Sequence, residues 1–335
     1  MRRLRVGVIG FGVGEQHLKS FQEQSDCRVT TLCDLSSEKL LEARKKYPDV
    51  RVTRNEDDVL LSPDIDVVSI ASYDDHHAQQ IIKALQTSKH VFVEKPLCQT
   101  LEELQNIKQA WLQCKGTLKL ASNLILRTTP LYRWLKRKLE AGKLGEIYAF
   151  DGDYLYGRLE KIIHGWRKEV KDYSVIEGGG IHLIDLMTWI SGQRPRLVST
   201  HGNRICTKGS SFRYKDYVAL TLEFPSGLLA RITANFGCVH KHKHVVRVFG
   251  TRATFISDDS GARWHSSRNS KSSGTAIPEA ALPNSKGELI PFFVKAIRNN
   301  NPLNNETQTH FDVMSICIAA EKALQSRQRE EIVYI

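Results

Sequence analysis

Through the first 120 residues, short runs of almost uninterrupted apolar residues alternate with amphipathic stretches of helical period, and few folds accommodate that rhythm. The runs LRVGVIG, RVTTLCD, DVVSIAS and HVFVEKP read as strands, with a brief further strand at Arg51 to Thr53. Between them, residues 15–24, 37–46, 75–86 and 101–114 read as helices, the second opened by Ser36 or Ser37. Strands that are apolar on both sides must be covered on both faces. They therefore form a parallel sheet between two helix layers, a doubly wound α/β arrangement.

From residue 123 the period changes. A helix at 132–141 leads into GEIYAFDGDYLYG and a second helix follows at 181–190, then come the longer alternating segments RLVSTHGNRI, DYVALTLEF, LLARITANF and HVVRVFG. Alternation gives each strand one dry and one wet face. The second half is thus an α+β region with a large, mostly antiparallel open sheet, helices packed on one side, and a tight turn at Pro225 to Gly227. A last helix is read at 311–325. The expected division is 1–122 and 123–335.

A chain of 335 residues can bury two ordinary cores. The net charge of +11 permits an anionic partner, but it is spread along the chain and no nucleic-acid reading motif accompanies it, so no nucleic acid is expected. Its densest stretch, RWLKRKLEAGK at 133–143, reads as a solvated helix face or as a rim that attracts phosphate. Seven cysteines without C-x-x-C spacing argue against a disulfide framework and a zinc knuckle, and read as reduced, mostly buried thiols. No apolar run approaches the ~20 residues of a membrane span, and the first residues lead into a strand rather than a signal sequence, so a cytoplasmic protein without a membrane partner is expected. The Ser-rich segment Ser257 to Ser273 reads as a surface excursion.

The first strand runs straight into a glycine-rich turn, VGVIGFGVGEQH. Gly10, Phe11, Gly12, Val13 and Gly14 make a loop whose backbone can approach a diphosphate, with the start of the next helix beneath it. The spacing departs from G-x-G-x-x-G, because Glu15 stands where the third glycine belongs. Asp34 closes the second strand 20 residues beyond Gly14, placed to accept hydrogen bonds from ribose hydroxyls or, alternatively, to cap the following helix. Leu35 follows it and no arginine stands beside it, which favours NAD over NADP.

Three further stretches carry a likeness. VEKPL sets Glu94, Lys95 and Pro96 at the carboxyl end of the fifth strand, where ligands of open α/β sheets bind and where proline restricts the backbone of the lysine before it. SIASYDDHHAQQIIKALQTSKHVFVEKPL precedes and includes that motif, and NLILRTTPLYRWLKRKLEAGKLGEIYAF, with Arg127, Pro130 and Gly145, opens the second half. Over nearly its whole length the chain resembles the glucose-fructose oxidoreductase / inositol dehydrogenase / MocA family. That resemblance implies a Rossmann domain at 1–122 and a substrate-binding and oligomerisation domain at 123–335. It implies that Lys95 reaches substrate and nicotinamide, and that Ala71, Ser72, His77 and Glu94 also line the cofactor, with Tyr73 standing where proline is usual in the family.

SVIEGGGIHLIDLM is the second constellation. His182 and Asp185, three apart, share one helix face, and an imidazole suits removal of the proton that hydride loss leaves behind. The resemblance marks His182 as the active-site histidine. Many members carry an aspartate four residues before it, where this chain has Gly178; either Glu177 reaches in from a loop that three glycines leave free to bend, or Lys95 and His182 act without an acid. Arg127, Arg167 and Asp185 are candidate substrate contacts, with Asp185 read equally as an acid that orients its neighbours or caps a packed helix, and Arg167 alternatively as a subunit contact. HKHKH could place His240, His242 and His244 on one strand face like a metal site, but no acid or cysteine converges on it and an exposed basic strand is preferred, so no metal is expected. The function implied is an NAD(P)-dependent dehydrogenase acting on a secondary hydroxyl of a sugar, cyclitol or nucleotide-sugar, working as a homodimer or homotetramer. The alternative is a non-catalytic dinucleotide-binding regulator of the same fold.

Overall fold

The computed structural model describes residues 2–269 and 271–335. The first elements in order are β1 (Leu4–Ile9), α1 (Gly14–Gln22), β2 (Cys27–Cys33), α2 (Ser37–Lys46), β3 (Arg51–Thr53), α3 (Asp57–Leu60), β4 (Val67–Ile70), α4 (His77–Gln86), β5 (His90–Val93), α5 (Leu101–Gln113) and β6 (Leu120–Ser122). Then follow α6 (Pro130–Glu140), β7 (Ile147–Leu155), α7 (Glu160–Ile163), α8 (Ile181–Ser191), β8 (Leu197–Asn203), β9 (Tyr217–Glu223), β10 (Leu229–Asn235), β11 (Lys243–Gly250), β12 (Thr254–Asp258), β13 (Gly261–His265) and β14 (Thr275–Ile277). The chain ends with α9 (Ile290–Arg298), α10 (Asn304–Ser326) and β15 (Glu330–Glu331). Two compact units result: one reaches to Ile125 and is rejoined by Asn284–Phe311 and Ile335, the other is Leu126–Pro283 with Asp312–Tyr334.

The first unit is a six-stranded parallel sheet in the order β3-β2-β1-β4-β5-β6. The chain leaves β1 toward one edge and resumes at β4 toward the other, which opens a crevice at the strand ends between them. Local chemistry sets the helix starts. Ser36 Oγ accepts the Lys39 N–H, and Thr100 and Glu103 form a reciprocal capping box. What the strand–helix rhythm did not reveal is the return of Asn284–Phe311 to this unit. Ile290, Phe293 and Val294 of α9 complete the core beside Phe21 and Phe92, with the Phe92 and Phe293 rings 5.5 Å apart. The Thr307 hydroxyl donates to the Leu120 carbonyl at 2.7 Å.

The second unit is a nine-stranded sheet in the order β14-β13-β12-β11-β7-β10-β9-β8-β15, antiparallel except where β10 runs parallel to β7. Along β7 the inward residues Phe150, Gly152 and Tyr154 are buried and α8 packs over that strand. On the other face Asp151 and Asp153 pair with Arg231, and Asp153 also with Arg247. The Ser-rich stretch is only partly an excursion: through His265 it is the β12–β13 hairpin, with Ser257 buried, whereas 266–269 and 271–273 are exposed and irregular. Ser270 lies outside the described residues. The basic stretch on α6 has specific partners, since Lys136 donates to the Trp189 carbonyl at 2.9 Å at the end of α8 and Lys138 lies over the Trp134 ring. All seven cysteines are free thiols, with Cys27, Cys33, Cys98 and Cys317 buried. Among the described residues no helix is long and apolar enough to cross a membrane.

Candidate active site

At the end of β1 the chain turns through Gly10, whose φ of +92° is left-handed and whose Cα lies so close to β4 that a Cβ would sit 2.2 Å from the Ala71 carbonyl oxygen. The turn opens beyond it: a side chain on Gly12 would meet nothing within 4 Å. Among the described residues no side chain caps α1, and although the Glu15 and Gln16 N–H groups bond back to the Gly12 and Val13 carbonyls, the positive end of the helix lies at this loop. Asp34 ties the arrangement together, accepting the Phe11 N–H at 2.7 Å and the Ser36 N–H at 2.8 Å. Its Oδ2 also lies 3.5 Å from Lys39 Nζ, and its Oδ1, beyond the Ser36 bond, keeps a further lone pair for a ribose hydroxyl. A cradle open at Gly12, an uncapped helix start and a carboxylate at the end of β2 fit a dinucleotide diphosphate and ribose.

Other residues of that region also make contacts within the protein. The Phe11 side chain is buried, edge-on to Tyr47, and its N–H donates to Asp34. Gly14 serves packing, because a Cβ there would press on Val8 and Ala71 at 3.2 Å. Val13 is exposed beside Gly12. Glu15, in place of the third glycine, turns to the Tyr47 hydroxyl at 3.0 Å. His77 is fully buried and bridges carbonyls, with Nδ1 2.7 Å from the Pro96 oxygen and Nε2 3.3 Å from that of Ser72. It braces the backbone on which Lys95 sits. The Ser72 hydroxyl donates to Gln80 Oε1 at 2.7 Å.

Glu94 and Lys95 follow β5 directly, and the Lys95–Pro96 peptide is cis. The Glu94 carboxylate accepts from Asn123 Nδ2 at 2.7 Å and lies 3.1 Å from His17 Nε2, while His17 Nδ1 lies 3.0 Å from the Ser69 hydroxyl. Burial pushes the Glu94 pKa up, but hydrogen bonding and charge from His17, the Asn123 bond and the neighbouring Lys95 ammonium outweigh it and hold the acid at about 2. Glu94 is therefore a fixed anion beside Lys95. His17 and Asn123 escaped the sequence reading, since a histidine in a helix and an asparagine after a strand carry no motif.

The second unit holds the other candidates. His182 stands in the first turn of α8, buried, with Tyr154 and His244 at ring separations of 6.1 and 6.0 Å. The glycines before it are not a free loop. Ile176–Gly180 form a π turn continuous with α8, in which the Ile181 N–H reaches back five residues to the Ile176 carbonyl. Glycine is required here for close approach: a Cβ on Gly179 would lie 2.4 Å from the Tyr154 ring, and one on Gly178 would lie 2.1 Å from the Tyr173 hydroxyl. In a π turn the backbone bonds reach five residues rather than four, and Glu177 stands five residues before His182. Glu177 is buried in that turn.

Asp185 is shut in, fully buried and clamped by Arg127, whose Nε donates to its two oxygens at 3.0 and 3.1 Å and whose Nη2 also donates. Burial moves its pKa up against the opposing pull of Arg127. Its carboxylate fixes the Arg127 guanidinium, in keeping with an acid that orients its neighbours. Arg167 donates to the Tyr173 hydroxyl at 3.0 Å and stacks on Trp166 at 4.6 Å. HKHKH does not form a one-face strand row. His240 lies before β11 and faces Asp259, His242 sits 3.1 Å from the Leu155 carbonyl, and only His244 is on the strand. Among the described residues no group of three His, Cys, Asp or Glu could hold a metal ion.

The architecture has many solved counterparts. A myo-inositol 2-dehydrogenase from Lactobacillus plantarum superposes with a TM-score of 0.85 at 18% identity, covering 99% of this chain and 100% of that one. The scyllo-inositol dehydrogenase from Lactobacillus casei, solved with NAD(H) and scyllo-inositol, gives 0.80 at 20% identity over 99% of each chain. In sequence the chain is 26% identical over 266 residues to the uncharacterized oxidoreductase YrbE of Bacillus subtilis, 77% of this chain and 75% of the relative. It is 23% identical over 263 residues to the myo-inositol 2-dehydrogenase of Thermotoga maritima, 76% and 75% of the two chains. Residues 4–119 match the family model described as an oxidoreductase family with an NAD-binding Rossmann fold, and residues 132–256 match that of the GFO/IDH/MocA C-terminal domain. Two family models, one for each half, agree with a sheet order and a glycine turn built for a dinucleotide: the chain belongs to the Gfo/Idh/MocA family of NAD-dependent oxidoreductases.

Proposed function

We propose that the enzyme oxidises a secondary hydroxyl of a cyclitol or a related sugar. The substrate class is suggested by relatives named as inositol dehydrogenases, and the observation that carries the chemistry is the anchored Glu94 carboxylate beside Lys95. A fixed anion next to an ammonium group keeps that cation where it can hold a hydroxyl and steady the alkoxide as it develops. Lys95 is assigned that role, and His182 takes the hydroxyl proton. Bound NAD supplies the hydride acceptor. Glu177, one π turn before His182, is assigned the acid that many family members place four residues before the histidine. Arg127, immobilised by Asp185, and Arg167, stacked between aromatic rings, are assigned to orient substrate oxygens.

The chain is further proposed to work as a homodimer or homotetramer, a reading supported by the exposed Tyr148 and Leu229 on neighbouring strands β7 and β10. Size-exclusion chromatography with light scattering gives the assembly directly. The functional test is a panel of inositols, sugars and nucleotide-sugars incubated with NAD. NADH is expected from at least one inositol or sugar. Binding of NAD without turnover of any member would favour the regulator reading instead.

A further inference from the structure

The second unit contains a cavity of about 460 Å³ that none of the roles above employs. Its mouth carries Arg204 and Arg213 with Lys215, all exposed, and its wall includes Tyr214, Val218 and Leu324. Among the described residues no carboxylate pairs with these three cations, although the acids around them are accounted for. Asp216, next in sequence to Lys215, is buried and accepts the Thr207 N–H and hydroxyl at 2.6 and 2.8 Å. The sole acid among the lining residues is Glu321, which accepts from the Ser174 hydroxyl and makes no ion pair with the rim. Burial pushes its pKa up, the Ser174 bond only partly offsetting the shift. The cavity therefore presents an excess of positive charge above an apolar and aromatic wall, in the size range of small-molecule sites.

We propose that this cavity binds a small phosphate ester, its phosphate held by the Arg204, Arg213 and Lys215 rim and its organic body laid against Tyr214, Val218 and Leu324. Guanidinium forks match phosphate oxygens two at a time, and an ammonium adds a third charge. Ser174, at the floor, also accepts the N–H groups of Ile176 and Glu177, so an occupant touches the residue that opens the π turn before His182. None of its lining residues belongs to the glycine turn, and the proposal does not depend on the substrate assigned above.

The test is calorimetric titration of the NAD-saturated protein with inorganic phosphate and with phenyl phosphate, saturation keeping both probes out of the dinucleotide site. One equivalent of phenyl phosphate should bind, about tenfold more tightly than inorganic phosphate because of the ring's apolar area. Arg213→Ala should weaken it about tenfold, and the triple variant Arg204→Ser, Arg213→Ser, Lys215→Ser should abolish binding. These residues are exposed, and an unchanged melting temperature shows that the variants are folded. No heat at ~10 mM phenyl phosphate, or equal affinity in the wild type and the triple variant, overturns the proposal.

Discussion

Glu94 shows how one side chain both betrays and conceals a site. A charged pair after Val91-Phe92-Val93 is legible, because charge at the end of a buried strand is costly unless the strand end faces a ligand. Its partners were not legible: His17 and Asn123 stand 106 residues apart and meet only through folding. The sign of the pH effect follows from the shift. The carboxyl is held at about 2 against an ordinary 4.5, so its stabilisation is complete above pH 4.5 and is lost as pH falls through about 2. The difference, 4.5 minus 2, corresponds to on the order of 3 kcal/mol. Glu94→Gln should therefore be less stable than wild type near neutrality by up to about 3 kcal/mol, with the gap closing in acid. Urea unfolding at a series of pH values measures it; a gap independent of pH would contradict the account.

At the scale of elements, strand and helix periods placed the sheets and most helices, and Ser36 marked its helix start because a serine oxygen satisfies a free N–H. The π turn was not legible. Three consecutive glycines read locally as freedom, yet the rings of Tyr154 and Phe236 and the Tyr173 hydroxyl leave no room for a Cβ at Gly178 or Gly179. Sequence spacing also assumes an α-helical turn, from which the π turn at Ile176–Gly180 departs. Gly178→Asp, which would restore the acid usual in the family, should destabilise the protein by about 1–3 kcal/mol because the new Cβ meets the Tyr173 oxygen. Tyr173→Ala in the same chain should recover part of that loss. Chemical denaturation of the single and double variants checks both expectations, and a neutral Gly178→Asp would show that the turn has slack.

For the whole molecule, the main surprise is that the first unit is not continuous. No local signal links IPFFVKAIR to a core built almost 200 residues earlier, since an apolar helix face says only that it must be covered, not by what. Phe293→Ala should cost about 3–5 kcal/mol and lower the stability of the glycine-turn unit in particular. A fragment ending at residue 122, deprived of α9, should bind a hydrophobic dye through exposed Phe21 and Phe92, whereas a cooperative melt of that fragment would remove α9 from the account. The central claim remains the division of labour between an ammonium and an imidazole. It is tested most directly by NADH formation in Lys95→Ala and His182→Ala, with NAD affinity measured calorimetrically on the same samples. Each variant should lose at least about 100-fold in turnover while NAD affinity stays within a few-fold of wild type; a wild-type rate in either one would contradict the proposed chemistry.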